Sequence, residues 1–429
     1  MPKIEPRTLQ GFFDYSGEEM SLRRSVEDKI RSVFVSYGYE ELNTPSIEYA
    51  DILFGKYGEE EKLIYHFNDH GDRHVALRYD QTVPLARFVA QNYNTLTFPF
   101  KRYEIGRVWR ADAARKARKR EFMQCDVDIL GDNSSLADAE ILMITMDVFK
   151  KLEIDLKLHV SDRKILSQIL EKEGVKTEWL TNIVHAIDKY DKIGQDGVLT
   201  ELEERFEDKK TQDICKKATL KVFELASKSF NEFRKCFELE NSFLVEIFDF
   251  LQNTNFKEGR DYTFNLTLVR GLDYYTGMVF EARKDDYKAS FAGGGRYDNL
   301  SAMYTDKNIS GVGVGIGFEP IITFLKENSK LQEEANKVLV TVFDLKYATN
   351  SIKICEKLRN SGIICELFTD YSQKIGKQFK YADKKDIKKV VIIGEDEAKN
   401  NTYTLKDLSS GQQETLNLKD LIKKLSVAK

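Results

Sequence analysis

The chain has 429 residues, 41% of them hydrophobic and 32% charged, with a net charge of −4. That supplies enough apolar material for sizeable cores in two or three domains and excludes disordered and fibrous classes. No run approaches the roughly 18 consecutive apolar residues of a membrane helix, and the opening residues 1–7 lack a signal peptide's apolar stretch, so a soluble cytoplasmic protein with no membrane partner is expected.

Residues 17–37 follow Asp14 and Ser16, both able to cap, and carry Met20, Val26, Ile30, Val33 and Phe34 near one face of a helix that stops at Gly38. Residues 39–45 read as a strand running into Pro45. Strand patterns recur at 63–67, 74–78, 98–109 and 122–130, with a helix from Thr82, which predicts an antiparallel sheet with helices laid on it. A helix over 135–152 leads to a strand at 155–160. From Ser161 to about Phe256 apolar residues recur at helical spacing among Lys and Glu and strand signals stop, as in a helical insertion. Strands return at 264–270, 278–282 and 310–317. The expected class is α+β, with residues 1–160 and 257–328 forming one discontinuous domain around an insertion at 161–256. Beyond 330–336, strands at 338–343, 364–368 and 390–394 alternate with helices at 349–361 and 375–385, before a possible strand at 402–405 and a helix at 418–425. This predicts a small, largely parallel α/β domain over 336–429. From Lys337 on it holds 18 Lys and Arg against 12 Asp and Glu, a net +6, so residues 1–336 carry −10. Such a module suits a local polyanion contact, with a lysine-rich solvated face as the plainer account.

The five cysteines (125, 215, 236, 355, 365) have no CxxC spacing, and with the five histidines they form no ligand pattern, so neither a structural zinc site nor a disulfide framework is expected. Arginines and lysines crowd residues 101–120. A strand ending at Trp109 would point Arg110 out of its end, followed by a loop of small and basic residues over 111–119 suited to an anion, because planar guanidiniums fork onto phosphate oxygens. The returning strand places Gln124, Asp126 and Asp128 on one face, where a buried strand would be apolar. Residues 268–277 gather Arg270, Asp273, Tyr274 and Tyr275 around two glycines, and residues 291–298 set Arg296, Tyr297 and Asp298 after three; both read as walls of a small-molecule pocket. The alternating glycines of 311–317 have no dinucleotide-binding register and leave room either for a flat ligand or for a packed helix.

These stretches resemble one family. Leu77-Arg-Tyr-Asp-Gln-Thr-Val-Pro84, Val108-Trp-Arg-Ala-Asp112 with Arg120-Glu-Phe-Met-Gln-Cys-Asp-Val-Asp128, Arg270-Gly-Leu-Asp-Tyr-Tyr-Thr-Gly277 and Ala292-Gly-Gly-Gly-Arg-Tyr-Asp298 are similar to signatures of the histidyl-tRNA synthetases, class II aminoacyl-tRNA ligases. The resemblance covers nearly the whole chain, and residues 270–277 carry its most specific part. It implies a class II antiparallel sheet flanked by helices, a helical insertion that clamps the acceptor stem, and a terminal anticodon-binding domain in which Lys384, Lys385, Lys388 and Lys389 are candidate phosphate contacts. It implies that L-histidine is activated with ATP, accompanied by Mg²⁺ but no dedicated metal cage, and passed to the 3′ end of tRNA(His) by a homodimer. Arg110 and Arg270 would flank the reacting α-phosphate as catalytic groups. Arg110, Asp112, Arg118, Arg120 and Phe122 would form the ATP site, with Phe122 stacked on adenine. Asp80, Thr82 and Gln124 would take the α-amino group, and Asp128, Arg270, Tyr274, Tyr275 and Tyr297 would complete the histidine site.

Two departures stand out. Where the family opens a helix with an arginine over adenine, this chain reads Gly317-Phe-Glu-Pro320; the proline suits a first helical turn, but the guanidinium is missing, so either the ATP clamp is looser or another arginine replaces it. The loop at 113–119 lacks the family's usual Gly-Arg-Tyr run. The rival expectations are a non-catalytic regulatory paralogue of histidine biosynthesis, which would lack the 270–275 stretch and basic terminal domain present here, and a ligase for another amino acid.

Overall fold

The computed structural model of the chain describes residues 3–113, 119–237, 242–269, 275–298, 302, 304–328 and 337–426. Two compact units divide it at Lys330.

The first unit opens with α1 (Gly17–Ser36), β1 (Glu40–Glu41), β2 (Ile47–Tyr49), α2 (Ala50–Leu53), β3 (His66–Asn68), β4 (His74–Leu77) and α3 (Thr82–Asn92). It continues with β5 (Phe100–Trp109), β6 (Glu121–Leu130), α4 (Ser135–Lys151) and β7 (Lys157–Asp162). Six helices follow: α5 (Arg163–Lys172), α6 (Thr177–Ile187), α7 (Tyr190–Arg205), α8 (Lys209–Ala226), α9 (Phe230–Cys236) and α10 (Phe243–Gln252). Then come β8 (Tyr262–Phe264), β9 (Met278–Lys284), β10 (Tyr287–Arg296), β11 (Gly311–Gly317) and α11 (Phe318–Glu327). The strands form an eight-stranded sheet in the order β1-β5-β6-β11-β10-β9-β7-β8, antiparallel except at its two edge pairs. Strands from before and after the helical stretch interleave in this one sheet.

Register decides what each sheet face carries, because successive side chains alternate sides. On one face lie Tyr103 of β5, Cys125, Val127 and Ile129 of β6, Val312, Val314 and Ile316 of β11, Phe280 and Ala282 of β9, and Leu158 and Val160 of β7. They form one core with the apolar stripes of α1, α4 and α11. Residues 22, 26, 30, 33 and 34 of α1 are buried there, a spacing of three to four that matches the helical repeat. Ser16 stands at the start of α1 without a side-chain cap bond, and Gly38 past its end takes φ +80°. The apolar residues of α5–α10 continue the same core.

The opposite face carries Arg102, Glu104 and Gly106 beside Asp128, Asp126 and Gln124, then Gly313, Gly315 and Gly317. Gly295 and Gly293 follow, and Glu281 and His159 beyond them. The expected strand at 63–67 is instead a 3-10 turn at Gly58–Leu63 followed by the short β3, which joins β2 and β4 in a separate three-stranded sheet.

In the second unit β12 (Val338–Val340), α12 (Ala348–Asn360), β13 (Cys365–Leu367), α13 (Ile375–Lys384), β14 (Lys389–Ile392), α14 (Glu395–Asn400), β15 (Tyr403–Asp407), β16 (Gln413–Leu416) and α15 (Leu418–Ser426) build a sheet ordered β13-β12-β14-β15-β16. Its first three strands are parallel and its last two antiparallel. Val338 and Val340 face one core with Ile354, Leu358, Leu421 and Leu425, and Leu339 faces another with Ala382, Ile387 and Val390. Short α14 and strand β16 escaped the sequence pattern. Burial on both faces explains the continuous apolar run of β12. Cys355 and Cys365 meet here as thiols, Sγ atoms 3.4 Å apart.

Candidate active site

The polar sheet face is the floor of a cleft of about 1200 Å³. Asp80, Thr82, Arg110, Gln124, Asp128, Tyr275 and Tyr297, seven of the site residues anticipated from sequence, line it. Arg118, Arg270 and Tyr274 lie outside the described residues. The alternating glycines of β11 face this cleft, while α4 packs against Val312, Val314 and Ile316 on the other side. They make room for neighbouring side chains: a Cβ on Gly313 would sit 1.9 Å from Asp128 Oδ1, and one on Gly311 would sit 2.4 Å from the Tyr297 ring. Glycine here lowers the floor so that a carboxylate and a phenol can lie across it.

Asp128 is 3% exposed. Its Oδ1 accepts from the Tyr297 hydroxyl at 2.5 Å, and its Oδ2 lies 2.8 Å from Arg102 Nη2. The latter contact is ionic without the alignment of a hydrogen bond, and Nε, Nη1 and Nη2 of Arg102 have no hydrogen-bond partner among the described residues. Burial raises the pKa of Asp128, an effect Arg102 and Tyr297 partly counter; Asp126 stands well above the usual carboxylate range for the same first cause. The Tyr297 phenol is likewise pushed well up by burial and by Asp128, so it stays a donor.

Asp80 sits on the turn into α3, where its Oδ1 accepts from the Tyr57 hydroxyl at 3.0 Å and from Val83 N–H at 3.1 Å. Burial raises its pKa, against the effect of the Val83 amide and Arg110. Arg110 follows β5 directly. Its Nε donates to Tyr79 O at 3.1 Å, and its guanidinium carbon lies 4.2 Å from the Tyr79 ring centre and 5.3 Å from that of Phe122, which fixes the guanidinium plane. The half-buried Phe122 ring therefore adjoins Arg110. Asp112 is buried, and Arg120 donates to Asp112 O at 2.9 Å and to Gln10 O at 3.4 Å. Gly11 packs on the Arg120 stem, so this arginine holds the N-terminal segment against the strand end.

Arg296, read from sequence as a pocket wall, points through the sheet instead. It forks onto Asp138 of α4 and donates to Asp132 O and Ser134 O, because it is one residue out of phase with Gly295 on the cleft face. Sequence reasoning also counted Arg102 merely among a run of basic residues. The available signal was its spacing: Arg102, Glu104 and Gly106 repeat at two, in register with Asp128, Asp126 and Gln124. Glu104 is held by Arg78 and Thr44, whose hydroxyl lies 3.1 Å away, and a Cβ on Gly106 would strike the Arg78 guanidinium. Beside Pro320, Glu319 receives a two-pronged contact from Arg23 of α1 at 2.9 and 2.6 Å and an ion pair from Lys119, so cations from elsewhere in the chain reach the start of α11. In the terminal unit, Lys385 is committed to Glu366 at 2.8 Å and Lys388 pairs with Asp386.

A mostly antiparallel sheet with helices under one face and a polar, arginine-flanked cleft on the other defines a class II aminoacyl-tRNA synthetase fold. A histidyl-tRNA synthetase family model matches residues 11–321, and an anticodon binding domain model matches residues 332–427. A histidine–tRNA ligase of Clostridium tetani is 38% identical over 441 residues, 98% of each chain, and one of Helicobacter pylori strain G27 is 36% identical over 99% of this chain and 98% of its own. The crystal structure of a histidyl-tRNA synthetase from Nostoc sp. PCC 7120 superposes with a TM-score of 0.85 at 28% identity, covering 99% of both chains. The chain belongs to the histidyl-tRNA synthetase family. A structure from Bacillus halodurans described as an ATP phosphoribosyltransferase regulatory subunit/histidyl-tRNA synthetase shares the fold, with a TM-score of 0.72 at 18% identity over 89% of this chain and 97% of its own.

Proposed function

We propose that the protein is a histidine–tRNA ligase that condenses L-histidine with ATP to histidyl-adenylate, releasing pyrophosphate, and transfers the histidyl group to the 3′ end of tRNA(His). The observation that carries this reading is the joint presence in one cleft of Asp80, Gln124, Asp128 and Tyr297 on the floor and Arg110 at the end of β5.

Asp80 offers a carboxylate acceptor for the α-ammonium, with Gln124 and Thr82 beside it. Asp128, fixed at both oxygens, accepts an imidazole N–H, and the Tyr297 and Tyr275 rings bound the space around it. A cavity that hydrogen-bonds the ring rejects side chains of similar size more strongly than an apolar one can. The histidine carboxylate attacks the α-phosphorus, and Arg110, its guanidinium plane already fixed by Tyr79, neutralises the charge that develops there. Arg270 has the same role from the other side, Phe122 stacks on adenine, and Asp112, Arg118 and Arg120 belong to the ATP site. Mg²⁺ arrives as the ATP complex. Beside Pro320, Arg23 and Lys119 are both engaged by Glu319. Residues 1–160 and 257–328 form the catalytic domain, residues 161–256 the acceptor-stem clamp and residues 336–429 the anticodon reader, in a cytoplasmic homodimer. The 38% identity over 98% of the chain and the anticodon-binding module favour the ligase over the regulatory reading.

Histidine-dependent exchange of pyrophosphate into ATP, followed by charging of tRNA(His), tests the proposal. Exchange is expected with histidine alone among the amino acids, and Arg110→Ala should slow it by about a hundredfold or more. Well-folded protein inactive in both assays would sink it.

A further inference from the structure

Beside Asp128 on the polar sheet face lies a charge arrangement that the proposed reaction leaves unused. Arg102 is 0% exposed, in the first half of β5, and its neighbours across the sheet and along the strand are Asp128, Asp126 and Glu104. Glu104 is already occupied by Arg78. Among the described residues, Arg102 is therefore the cation that faces the two buried aspartates. Burying a guanidinium without aligned acceptors is costly, and the cost persists only where the field it exerts is needed or its neighbours would otherwise lose their charge.

We propose that Arg102 is a positioning and specificity-determining residue, which keeps Asp128 an acceptor-only carboxylate with its plane set, so that it selects a side chain able to donate a ring N–H. The proposal rests on the reading of the cleft as a histidine site. Arg102 engages Oδ2 at 2.8 Å from the neighbouring strand, and Tyr297 donates to Oδ1 at 2.5 Å. A carboxylate oxygen has two acceptor sites, so Oδ1 keeps one for a ligand beside the Tyr297 bond, while Oδ2 is enclosed against Arg102. A protonated Asp128 would present a donor to the ring and lose that selectivity. Several charged and titratable groups face it: Arg102 and Glu104 of β5, Asp126 of β6, Asp80 on the turn before α3, and Tyr297 after β10, with Tyr275 next to Tyr297. Burial, Asp80 and Glu104 favour protonation of Asp128, and Arg102 is the principal cation opposing them. Burial alone would lower the Arg102 pKa, but Asp128, Glu104 and Asp126 more than offset it, so the guanidinium stays charged.

The test compares Arg102→Met and Arg102→Gln, both neutral and of similar length, with Arg102→Lys, which keeps the charge. Pyrophosphate exchange is followed from pH 6 to pH 9 with histidine and with 3-(2-thienyl)alanine, which has no ring N–H. In the neutral variants KM for histidine should rise about tenfold near neutral pH, the scale of one lost charge-assisted hydrogen bond. KM for ATP should stay within about twofold, since Arg110 and Phe122 are untouched. The defect should shrink as pH rises, because Asp128 then ionises without help, and discrimination against the thienyl analogue should fall in step. Arg102→Lys should recover most of the loss. Arg102→Gln, which can hydrogen-bond both aspartates, keeps the test available should the methionine variant not fold. A folded neutral variant with unchanged histidine KM overturns the proposal, as does a pH-independent loss shared equally by histidine and ATP, or a lysine variant no better than glutamine. Wild-type protein without histidine-dependent exchange removes the underlying reading, whereas active wild type with indifferent variants removes only the role of Arg102.

Discussion

Asp128 shows how far a single residue depends on what surrounds it. Its carboxylate fits only because Gly313, directly across from it on β11, has no side chain. In Gly313→Ala the new methyl must push the carboxylate away, and displacements near 1 Å at such a site cost on the order of a hundredfold in kcat/KM. The loss is expected in histidine kinetics, with KM for ATP nearly unchanged. Gly315→Ala, whose Cβ would stand 3.2 Å from Asp126, should lose much less. Histidine-dependent exchange with both variants checks the contrast. Gln124, Asp126 and Asp128 were readable as an anomalous polar face because strand alternation is a local property. Arg102 was passed over because it stands in a basic run, although its spacing of two with Glu104 and Gly106 follows the same alternation.

At the level of elements, the sheet is bound to α4 by an ion pair whose arginine the sequence reading had placed in the pocket wall. Arg296 at the end of β10 and Asp138 in α4 are both buried, and Asp138 is pushed up to about 6 by burial, against the effect of Arg296. Removing one partner leaves an uncompensated buried group, so Arg296→Met should cost about 3–5 kcal/mol of unfolding free energy. The pH dependence follows from the sign of the shift. The folded-state pKa lies above the ordinary 3.8, so the native state binds the extra proton, and this group's contribution to stability falls as pH rises from about 3.8 to about 6. Without Arg296 the charged form is harder still to bury, so the variant's deficit should be larger at pH 7.5 than at pH 5. Urea unfolding at the two pH values measures it, and an equal deficit at both would contradict the assignment. Helices α1 and α4 and the strands β5, β6 and β11 were legible from periodicity; the 3-10 turn before β3 was not, since short apolar runs suit both strands and tight turns.

For the whole molecule, the division into two units at Lys330 coincides with the change from an acidic to a basic chain. The first unit contains every described residue that lines the cleft, so a protein truncated after Lys330 should still catalyse histidine-dependent exchange, within about tenfold of the full chain. Charging of tRNA(His) should fall by about a hundredfold or more, because lost phosphate and base contacts weaken binding by several kcal/mol. Full charging by the truncated protein would remove the tRNA-reading role from the second unit. No helix among the described residues is long and apolar enough to cross a membrane.

The sequence by itself determined the α+β class, the interruption of the sheet by helices, the separate basic α/β end and the set of unusual polar and glycine residues around a pocket. These are matters of periodicity and composition, which act over a few residues. Only the tertiary structure decided which side of the sheet each of them faces: that the β11 glycines open onto the cleft, that Arg296 turns away from it, and that Arg102 stands beside Asp128. A shift of one residue in strand register exchanges the two faces, and register is set by long-range pairing and packing that no local pattern contains.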